Sequence, residues 1–410
     1  MKLERPLKAQ DVTKDRDQTY SYIGEEVIGR GEDRKAIIGL LLDFNVKDNV
    51  SFICIVGIGG LGKTTLAQYV YNDKIVKDYF ELKMWVCISN DFDVKKIVEK
   101  IIESATKTKP ENYEMDPLQN KLQEQLDQKK YLLVLDDVWN ENEERWCNLK
   151  RLLMGDARGS KVVITTRTKL VAEITGTIKS PYILSGLPKD QSWFLLKEMA
   201  FGEGQDTIDP DIEAIGMDIV EKCRVSLAIK TIGRVLYFKT TKVEWLDIKN
   251  NELTNVTQPK NGLLPVLKLS YNHLPSYLKC CFACCSLFPK NYLIDKLTLV
   301  QLWIAQGFIQ SPEKKKQLED IANKYFMDLH WRLVNSNSNN VIEKVHHLSF
   351  SFANVSFFRE NLSTWLKQIR YEHLFWHTIL GSMLGKQWKN QLSKHLFLVL
   401  DTCVPWTYIV

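Results

Sequence analysis

The chain has 410 residues, of which 45% are hydrophobic and 26% are charged, and its formal net charge is +5. This length predicts roughly two to four domains, and the composition excludes a largely disordered protein. The charge is too weakly basic to indicate a specific nucleic-acid partner. The polar N-terminus lacks the apolar segment of a secretory signal, and no run reaches the roughly 18 apolar residues of a membrane span.

The first half of the chain alternates between predicted strands and predicted helices. Residues 1–22 are polar and are predicted to be a linker, and a short apolar segment and a helix follow them. Four apolar runs rich in β-branched residues then predict buried parallel strands at 52–56, 82–89, 131–139 and 160–167. Two amphipathic helices are marked by Val94, Ile97, Val98, Ile101 and Ile102, and by Leu118, Leu122 and Leu126. This alternation predicts a doubly wound parallel sheet, with its ligand at the carboxyl ends of the strands.

The pattern changes after about residue 181. Residues 182–258 predict helices without strands, and the longest predicted helix covers 211–238. Residues 263–334 are again mostly helical. Four cysteines in this part, Cys280, Cys281, Cys284 and Cys285, lie on one predicted amphipathic helix. In a chain without a secretory signal they favour reduced, buried thiols, and zinc is the weaker alternative because no second pair with ligand spacing follows.

A phosphate-binding loop follows the first predicted strand. Residues 57–64 match the pattern G-x-x-x-x-G-K-[ST], between an apolar strand and a helix that is predicted to begin at Lys63. The glycines let successive backbone N–H groups point at phosphate oxygens, Lys63 would reach the β- or γ-phosphate, and the Thr64 hydroxyl would bind Mg²⁺. The bland alternative is a glycine turn between strand and helix. The predicted nucleotide contacts are Gly57, Gly59, Gly60, Leu61, Gly62, Lys63, Thr64 and Thr65.

Two other strands end in charged residues at the same predicted edge. Asp136 ends an apolar strand, where a carboxylate would hold Mg²⁺, and Asp137 would act as the catalytic group that activates a water at the γ-phosphate. Arg167 closes the next strand and would sense the γ-phosphate by charge-assisted hydrogen bonds. The alternatives are two solvated acids and a surface arginine.

These motifs, in this order, resemble the NB-ARC family of plant disease-resistance proteins of the coiled-coil, leucine-rich-repeat type, over roughly residues 23–334. The residues CCFACCSLFPKNYLIDKLTLVQLWIAQGFI resemble the family's winged-helix motif. The resemblance implies an α/β nucleotide-binding domain at 23–181, a helical ARC1-like domain at 182–258 and a winged-helix ARC2-like domain at 259–334. It also implies that Val27, Ile28 and Arg30 contact adenine and ribose, and that ADP holds the domains closed until ATP replaces it.

Three departures from the family pattern stand out. Ser226 occupies the place of a proline that packs against adenine, which leaves Leu227 as the expected nucleotide contact in this segment. The family's Met-His-Asp motif is missing near 331–340, and His346 and His347 are not expected to replace it. No coiled-coil domain precedes residue 23, and residues 335–410 are predicted to be a degenerate linker with one leucine-rich unit at 395–401, so the chain is expected to be a truncated member.

Three functions remain open at this stage. The first is an ADP/ATP switch of an intracellular immune receptor, which binds adenine nucleotide and Mg²⁺ and is at most a weak ATPase. The second is an inert or decoy remnant that acts through protein contacts, and the third is a P-loop kinase or motor ATPase. Other receptor chains or host proteins are the expected partners. The cytoplasm is the expected compartment, with the nucleus also open.

Overall fold

The structure is a computed structural model, and it describes residues 27–43, 48–88, 92–111, 114–155, 157–176, 180–202, 208–253, 264–285, 294–309, 317–333 and 347–348. The chain divides between His273 and Leu274 into two compact units, which are described separately. The linker predicted at 1–22, His346 and the leucine-rich unit predicted at 395–401 lie outside the described residues.

A five-stranded parallel sheet forms the centre of the first unit. Its strands are β1 (Val50–Val56), β2 (Leu82–Cys87), β3 (Tyr131–Val138), β4 (Ser160–Thr166) and β5 (Tyr182–Ile183). Their order in the sheet is β2-β3-β4-β1-β5, and every pair is parallel. The four strands predicted from apolar runs are present. The fifth was not predicted, because two residues are too short to produce an apolar run.

Helices cover both faces of this sheet, as the doubly wound prediction requires. They are α1 (Gly31–Leu41), α2 (Lys63–Tyr71), α3 (Lys74–Tyr79), α4 (Val94–Thr106), α5 (Met115–Leu126), α6 (Glu143–Leu153) and α7 (Lys169–Thr175). Alternate residues of β1 explain the two layers. Phe52 and Cys54 pack into the core with α4 to α7, whereas Ile53 and Ile55 pack with α1 to α3. The predicted doubly wound P-loop fold is therefore confirmed.

A helical segment with its own core completes the first unit. It contains α8 (Lys189–Phe201), α9 (Pro210–Lys222), α10 (Ser226–Tyr237), α11 (Lys242–Asp247), a π-helical turn (Ile248–Glu252) and α12 (Leu264–Asn272). Leu196, Ile219, Ile232 and Trp245 meet in its core and are almost completely buried.

The prediction of one long helix over 211–238 is wrong. The helix stops at Cys223, whose backbone is extended, and a new helix begins at Ser226. Between them the carbonyl of Arg224 accepts a hydrogen bond of 2.9 Å from the backbone N–H of Leu187. The interruption thus gives the Leu187 N–H a hydrogen-bond acceptor. The hydrophobic pattern of 211–238 does not indicate this contact with a distant segment.

The second unit contains three described helices and a short β-ribbon. Its elements are α13 (Ser276–Cys285), β6 (Ile294–Asp295), α14 (Lys296–Ala305), α15 (Leu318–Leu333) and β7 (His347–Leu348). The strands β6 and β7 pair in antiparallel register.

The cysteine-rich helix α13 turns most of its thiols inward. Cys281, Cys284 and Cys285 are buried, and Cys280 is half-buried. Burial raises the pKa of the Cys284 thiol to about 12 and the pKa of Cys285 well above its usual range. These thiols are therefore protonated at neutral pH and pack as small apolar side chains.

Across the ranges that the structure describes, no helix combines the length and the hydrophobicity that a membrane span requires.

Helices α8 and α10 approach each other closely at Gly233. A Cβ atom at this position would lie 2.4 Å from the Cβ of Met199 and 3.2 Å from the carbonyl oxygen of Leu196. Because neither atom is the end of a flexible side chain, we expect Gly233→Ala to destabilise the protein by about 1–3 kcal/mol. The measurement is the denaturant midpoint of unfolding.

Gly39→Ala is the matched control for this change. Gly39 is also helical, but nothing lies within 4 Å of an added Cβ. Alanine there should stabilise the protein by about 0.5–1 kcal/mol, because glycine is the poorer helix former. Equal effects of the two substitutions would contradict the close approach of α8 and α10.

Candidate nucleotide-binding site

The sheet brings the three predicted site segments together at one edge. The phosphate loop follows β1, Asp136 lies near the end of β3, and Arg167 directly follows β4, which lies between β1 and β3. The Thr64 hydroxyl donates a hydrogen bond of 2.9 Å to Asp136 Oδ1, and Arg167 Nε lies 3.9 Å from Asp137 Oδ1. Residues more than 100 positions apart in sequence therefore form one cluster.

The phosphate loop owes its path to two glycines with positive φ. Gly60 has φ +77° and Gly62 has φ +92°, which is a backbone region that residues with a Cβ rarely adopt. Gly62 precedes α2, so the first N–H groups of this nine-residue helix open into the loop. Thr64 and Thr65 are half-buried in its first turn. A curled loop at a helix N-terminus is the geometry that binds phosphate groups.

Lys63 is held inside the loop. Its side chain is only 7% exposed, and Nζ donates hydrogen bonds to the carbonyl oxygens of Gly57 at 2.8 Å and Ile58 at 3.1 Å. Burial, and after it the positive charge of Arg167, lower the pKa of Lys63 to about 8, although the carboxylates of Asp137 and Asp136 act in the opposite direction. A phosphate anion beside this amine would reverse that shift by favouring the charged form.

The carboxylate of Asp136 is completely buried. Its Oδ1 accepts hydrogen bonds from the Thr64 hydroxyl and, at 2.6 Å, from the Thr165 hydroxyl. The Cys87 thiol lies 4.0 Å from Oδ2. A buried carboxylate beside a threonine hydroxyl at the end of the phosphate loop is an oxygen donor set of the kind that Mg²⁺ prefers alongside nucleotide phosphates. Thr64 and Asp136 therefore fit the predicted metal ligands.

Asp137 has a strained backbone. Its φ is +58°, and the pairing of β3 with β4 shifts its register between Leu135 and Val138. The Asp137 N–H donates a hydrogen bond of 2.9 Å to the Thr165 hydroxyl. A non-glycine residue in this conformation costs on the order of 1–3 kcal/mol, and such bulges re-aim a side chain. The bulge places the Asp137 carboxylate beside Arg167, which also lies over the ring of Trp139.

Arg30 is buried against the outside of the phosphate loop. Its guanidinium donates hydrogen bonds to the carbonyl oxygens of Leu61 at 2.7 Å and Ser185 at 2.9 Å, and it pairs with Asp33 at 2.9 Å. Ile28 packs against the core of the helical segment. Val27 is half-buried at the start of the described chain. Arg30 thus fixes the loop to β5 and α1, while its expected contact with adenine and ribose stays a prediction.

The helical segment also contacts the phosphate loop. The N–H of Leu227, in the first turn of α10, donates a hydrogen bond of 3.0 Å to the carbonyl oxygen of Gly60. The Ser226 hydroxyl donates a hydrogen bond of 3.4 Å to the carbonyl oxygen of Leu61. The residue that replaces the family's proline is therefore beside the loop, with a hydroxyl donor that proline lacks.

Sequence reasoning missed two residues of this cluster. Thr165 joins Asp136 to the backbone of Asp137, and Trp139 covers Arg167. Two adjacent threonines at the end of β4, Thr165 and Thr166, were the available signal, because a buried hydroxyl needs a partner. The contact between Trp139 and Arg167 has no such signal, since it depends on the bulge in β3.

This fold and this site together define a P-loop nucleotide-binding protein. The sequence profile of the NB-ARC domain matches residues 32–206, and that of the disease resistance protein winged helix domain matches residues 287–353. The chain therefore belongs to the NB-ARC family, with a winged-helix domain of the disease-resistance type.

Curated relatives agree with this assignment. The chain is 40% identical over 372 residues to disease resistance protein RGA2 of Solanum bulbocastanum, which covers 88% of this chain and 38% of the relative. It is 41% identical over 326 residues to the putative disease resistance RPP13-like protein 1 of Arabidopsis thaliana, covering 78% of this chain and 31% of the relative. The chain thus spans less than two fifths of the length of these relatives.

One solved structure aligns with the chain at lower similarity. The Signal Transduction ATPase with Numerous Domains protein of Pyrococcus horikoshii, which has a tetratricopeptide repeat sensor, aligns with a TM-score of 0.46 at 15% identity. The alignment covers 94% of this chain and 47% of that one.

The lowered pKa of Lys63 predicts how nucleotide affinity depends on pH. Without ligand the amine loses its proton near pH 8, whereas a bound diphosphate would hold the proton to higher pH. The complex then binds more protons than the ligand-free protein above pH 8. We therefore expect ADP affinity to be full below pH 8 and to fall above it, by at most about tenfold per pH unit. Calorimetric titration with ADP at a series of pH values measures this slope.

Two lysine-to-methionine variants test which lysine causes the pH dependence of ADP affinity. Lys63→Met should bind ADP weakly and without this slope. Lys83 is the control, because its pKa is also lowered to about 8 by burial, yet it lies near the start of β2, at the opposite end of the sheet. Lys83→Met should keep the slope. A flat profile in the unaltered protein, or a lost slope in Lys83→Met, would show that titration of Lys63 does not set the ADP affinity.

Proposed function

We propose that this chain binds ADP and ATP with Mg²⁺ and acts as the nucleotide-dependent switch of a plant intracellular immune receptor. The observation that carries the proposal is the convergence of Lys63, Asp136 and Arg167 on one loop with positive-φ glycines. The names of the relatives supply the biological context, since RGA2 and the RPP13-like protein are disease resistance proteins.

Each site residue has a proposed role. The N–H groups of the loop around Gly59 and Gly60 bind the phosphates, and Lys63 neutralises them. The Gly57 N–H instead joins the start of the loop to the Thr166 carbonyl oxygen at 3.2 Å. Thr64 and Asp136 hold Mg²⁺, which, when bound, neutralises the charge of the phosphate oxygens. Arg167 binds the γ-phosphate when ATP is present. The remaining contacts of the family pattern, Val27, Ile28, Leu61, Gly62, Thr65 and Leu227, line or support the nucleotide.

The contact between α10 and the phosphate loop supports a switch rather than a rapid enzyme. The Leu227 N–H and the Ser226 hydroxyl donate to loop carbonyl oxygens, so a change in the loop reaches the helical segment directly through these two hydrogen bonds. A ligand can shift such a conformational equilibrium only by the difference in its affinity for the two states. ADP favours the resting state in this proposal, and ATP favours the active one.

Any hydrolysis would be slow. Asp137 is the proposed general base, but its carboxylate lies beside the cation of Arg167. The carboxylate that would have to hold the attacking water is therefore already paired with another side chain. We expect turnover well below the roughly 1 s⁻¹ at which ordinary enzymes begin.

The partners and the compartment belong to the same proposal. Other receptor chains or host proteins are the partners, and the domain boundaries at residues 181, 258 and 334 stay predictions. Thiols that remain buried and protonated in α13 are compatible with a reducing compartment, which supports the cytoplasm. The nucleus is the second compartment to examine.

The decisive experiment identifies the nucleotide that the purified protein carries. Protein isolated under native conditions with Mg²⁺ is denatured, and the released nucleotide is separated by anion-exchange chromatography. We expect near-stoichiometric ADP. Lys63→Ala should carry none, because it removes the buried cation of the loop. Lys35→Ala, which removes a lysine whose side chain is 75% exposed, should carry as much as the unaltered protein.

Two results would overturn the proposal. Folded protein that carries no nucleotide and binds neither ADP nor ATP with Mg²⁺ would favour the inert remnant. Rapid phosphate transfer to an added acceptor would favour a kinase.

Removal of the metal ligand gives a second prediction. Asp136→Asn keeps the shape of the side chain but removes its charge, so ADP retention should lose its dependence on Mg²⁺. The release rate of labelled ADP with and without a chelator measures this dependence. Asp211→Asn is the control, because Asp211 is exposed on α9. A chelator effect of the same size in Asp136→Asn and in the unaltered protein would exclude Asp136 as a metal ligand.

A further inference from the structure

Trp139 directly follows β3, and its ring makes a cation–π contact with the guanidinium group of Arg167. The guanidinium carbon of Arg167 lies 4.4 Å from the ring centroid, and Trp139 remains 39% exposed. Asp137, two residues earlier, approaches the same arginine from its Nε side at 3.9 Å. The arginine is thus contacted by two side chains from the end of a single strand.

The bulge in β3 explains why both contacts occur. Asp137 has φ +58°, and the strand pairing is shifted between Leu135 and Val138. The extra residue of a bulge changes the direction of the side chains that follow it. This strained conformation persists because Thr165 holds the Asp137 N–H while it also binds Asp136. The conformation that positions Trp139 is therefore tied to the metal-ligand carboxylate.

Stacking restrains Arg167 without consuming its hydrogen-bond donors. A guanidinium that lies on an aromatic ring uses its face, whereas its N–H groups point outward in the plane and stay suited to two parallel bonds with phosphate oxygens. Arg167 is also close enough to Lys63 for its charge to lower the pKa of that amine. The stacked arginine accordingly lies near the residue that is expected to bind the β- and γ-phosphates.

We propose that Trp139 is a positioning residue that holds Arg167 ready for the γ-phosphate and so raises the affinity of the site for ATP relative to ADP. This inference rests on the proposed nucleotide-binding function. ADP has no γ-phosphate, so it gains nothing from a positioned Arg167. The ring already restrains the arginine side chain before ATP binds, so less conformational entropy is lost on binding. Trp139 therefore acts on the discrimination between the two nucleotides and not on their shared contacts.

The test compares ADP with a non-hydrolysable ATP analogue by calorimetry, in the full chain with Mg²⁺. Trp139→Ala should weaken binding of the analogue about two- to fivefold, the range of an exposed cation–π contact, and leave ADP affinity unchanged. Trp139→Phe keeps an aromatic face and should recover part of the loss. Phe194→Ala, at another exposed aromatic residue on α8, is the matched control and should change neither affinity.

A double-mutant cycle separates positioning from a structural role. If Trp139 acts through Arg167, then Trp139→Ala combined with Arg167→Ala should discriminate the nucleotides no worse than Arg167→Ala alone. Additive losses, equal weakening of both ligands in Trp139→Ala, or an unchanged affinity ratio would each overturn the inference. Failure of the unaltered protein to bind either nucleotide would instead overturn the proposed function.

Discussion

The buried carboxylate of Asp136 is the interaction on which the rest of the site depends. It accepts hydrogen bonds from Thr64, which begins α2 after β1, and from Thr165 on β4. Its own strand lies on the other side of β4, so one side chain joins three neighbouring parts of the sheet edge. A buried carboxylate needs such partners, because an unpaired charge in an apolar interior is strongly unfavourable. The requirement fixes the phosphate loop, Thr64 and the bulge at Asp137 relative to one another.

The same edge is built for an anion. Lys63 is buried beside Arg167, and the proximity of two cations, together with burial, lowers the pKa of the lysine. Phosphate groups would offset both the burial of the amine and its repulsion by Arg167. The ligand-free protein is therefore already arranged to bind an anion. Asp137 and Trp139 restrain Arg167, although its side chain remains 37% exposed. The electrostatic arrangement thus favours a ligand with several negative charges.

The phosphate loop has two sides with different partners. Its inner N–H groups are available to phosphates, whereas its carbonyl oxygens at Gly60 and Leu61 face protein donors from Leu227 and Arg30. The helical segment therefore contacts the backbone of the loop itself. A hydrogen bond from a helix N-terminus to the loop gives a direct physical route by which the nucleotide state can affect the position of that helix.

Elements with a local signal could be predicted from the amino-acid sequence. Apolar runs gave four of the five strands, the glycine spacing gave the phosphate loop, and the acids of β3 and Arg167 followed from the rule that parallel strands carry their ligands at one end. Three features became visible only in the folded protein: the two-residue strand β5, the interruption between α9 and α10, and the contact of Arg167 with the ring of Trp139. The reason is that each of these depends on a partner distant in sequence: β5 on β1, the Arg224 carbonyl on Leu187, and Trp139 on a bulge held by Thr165.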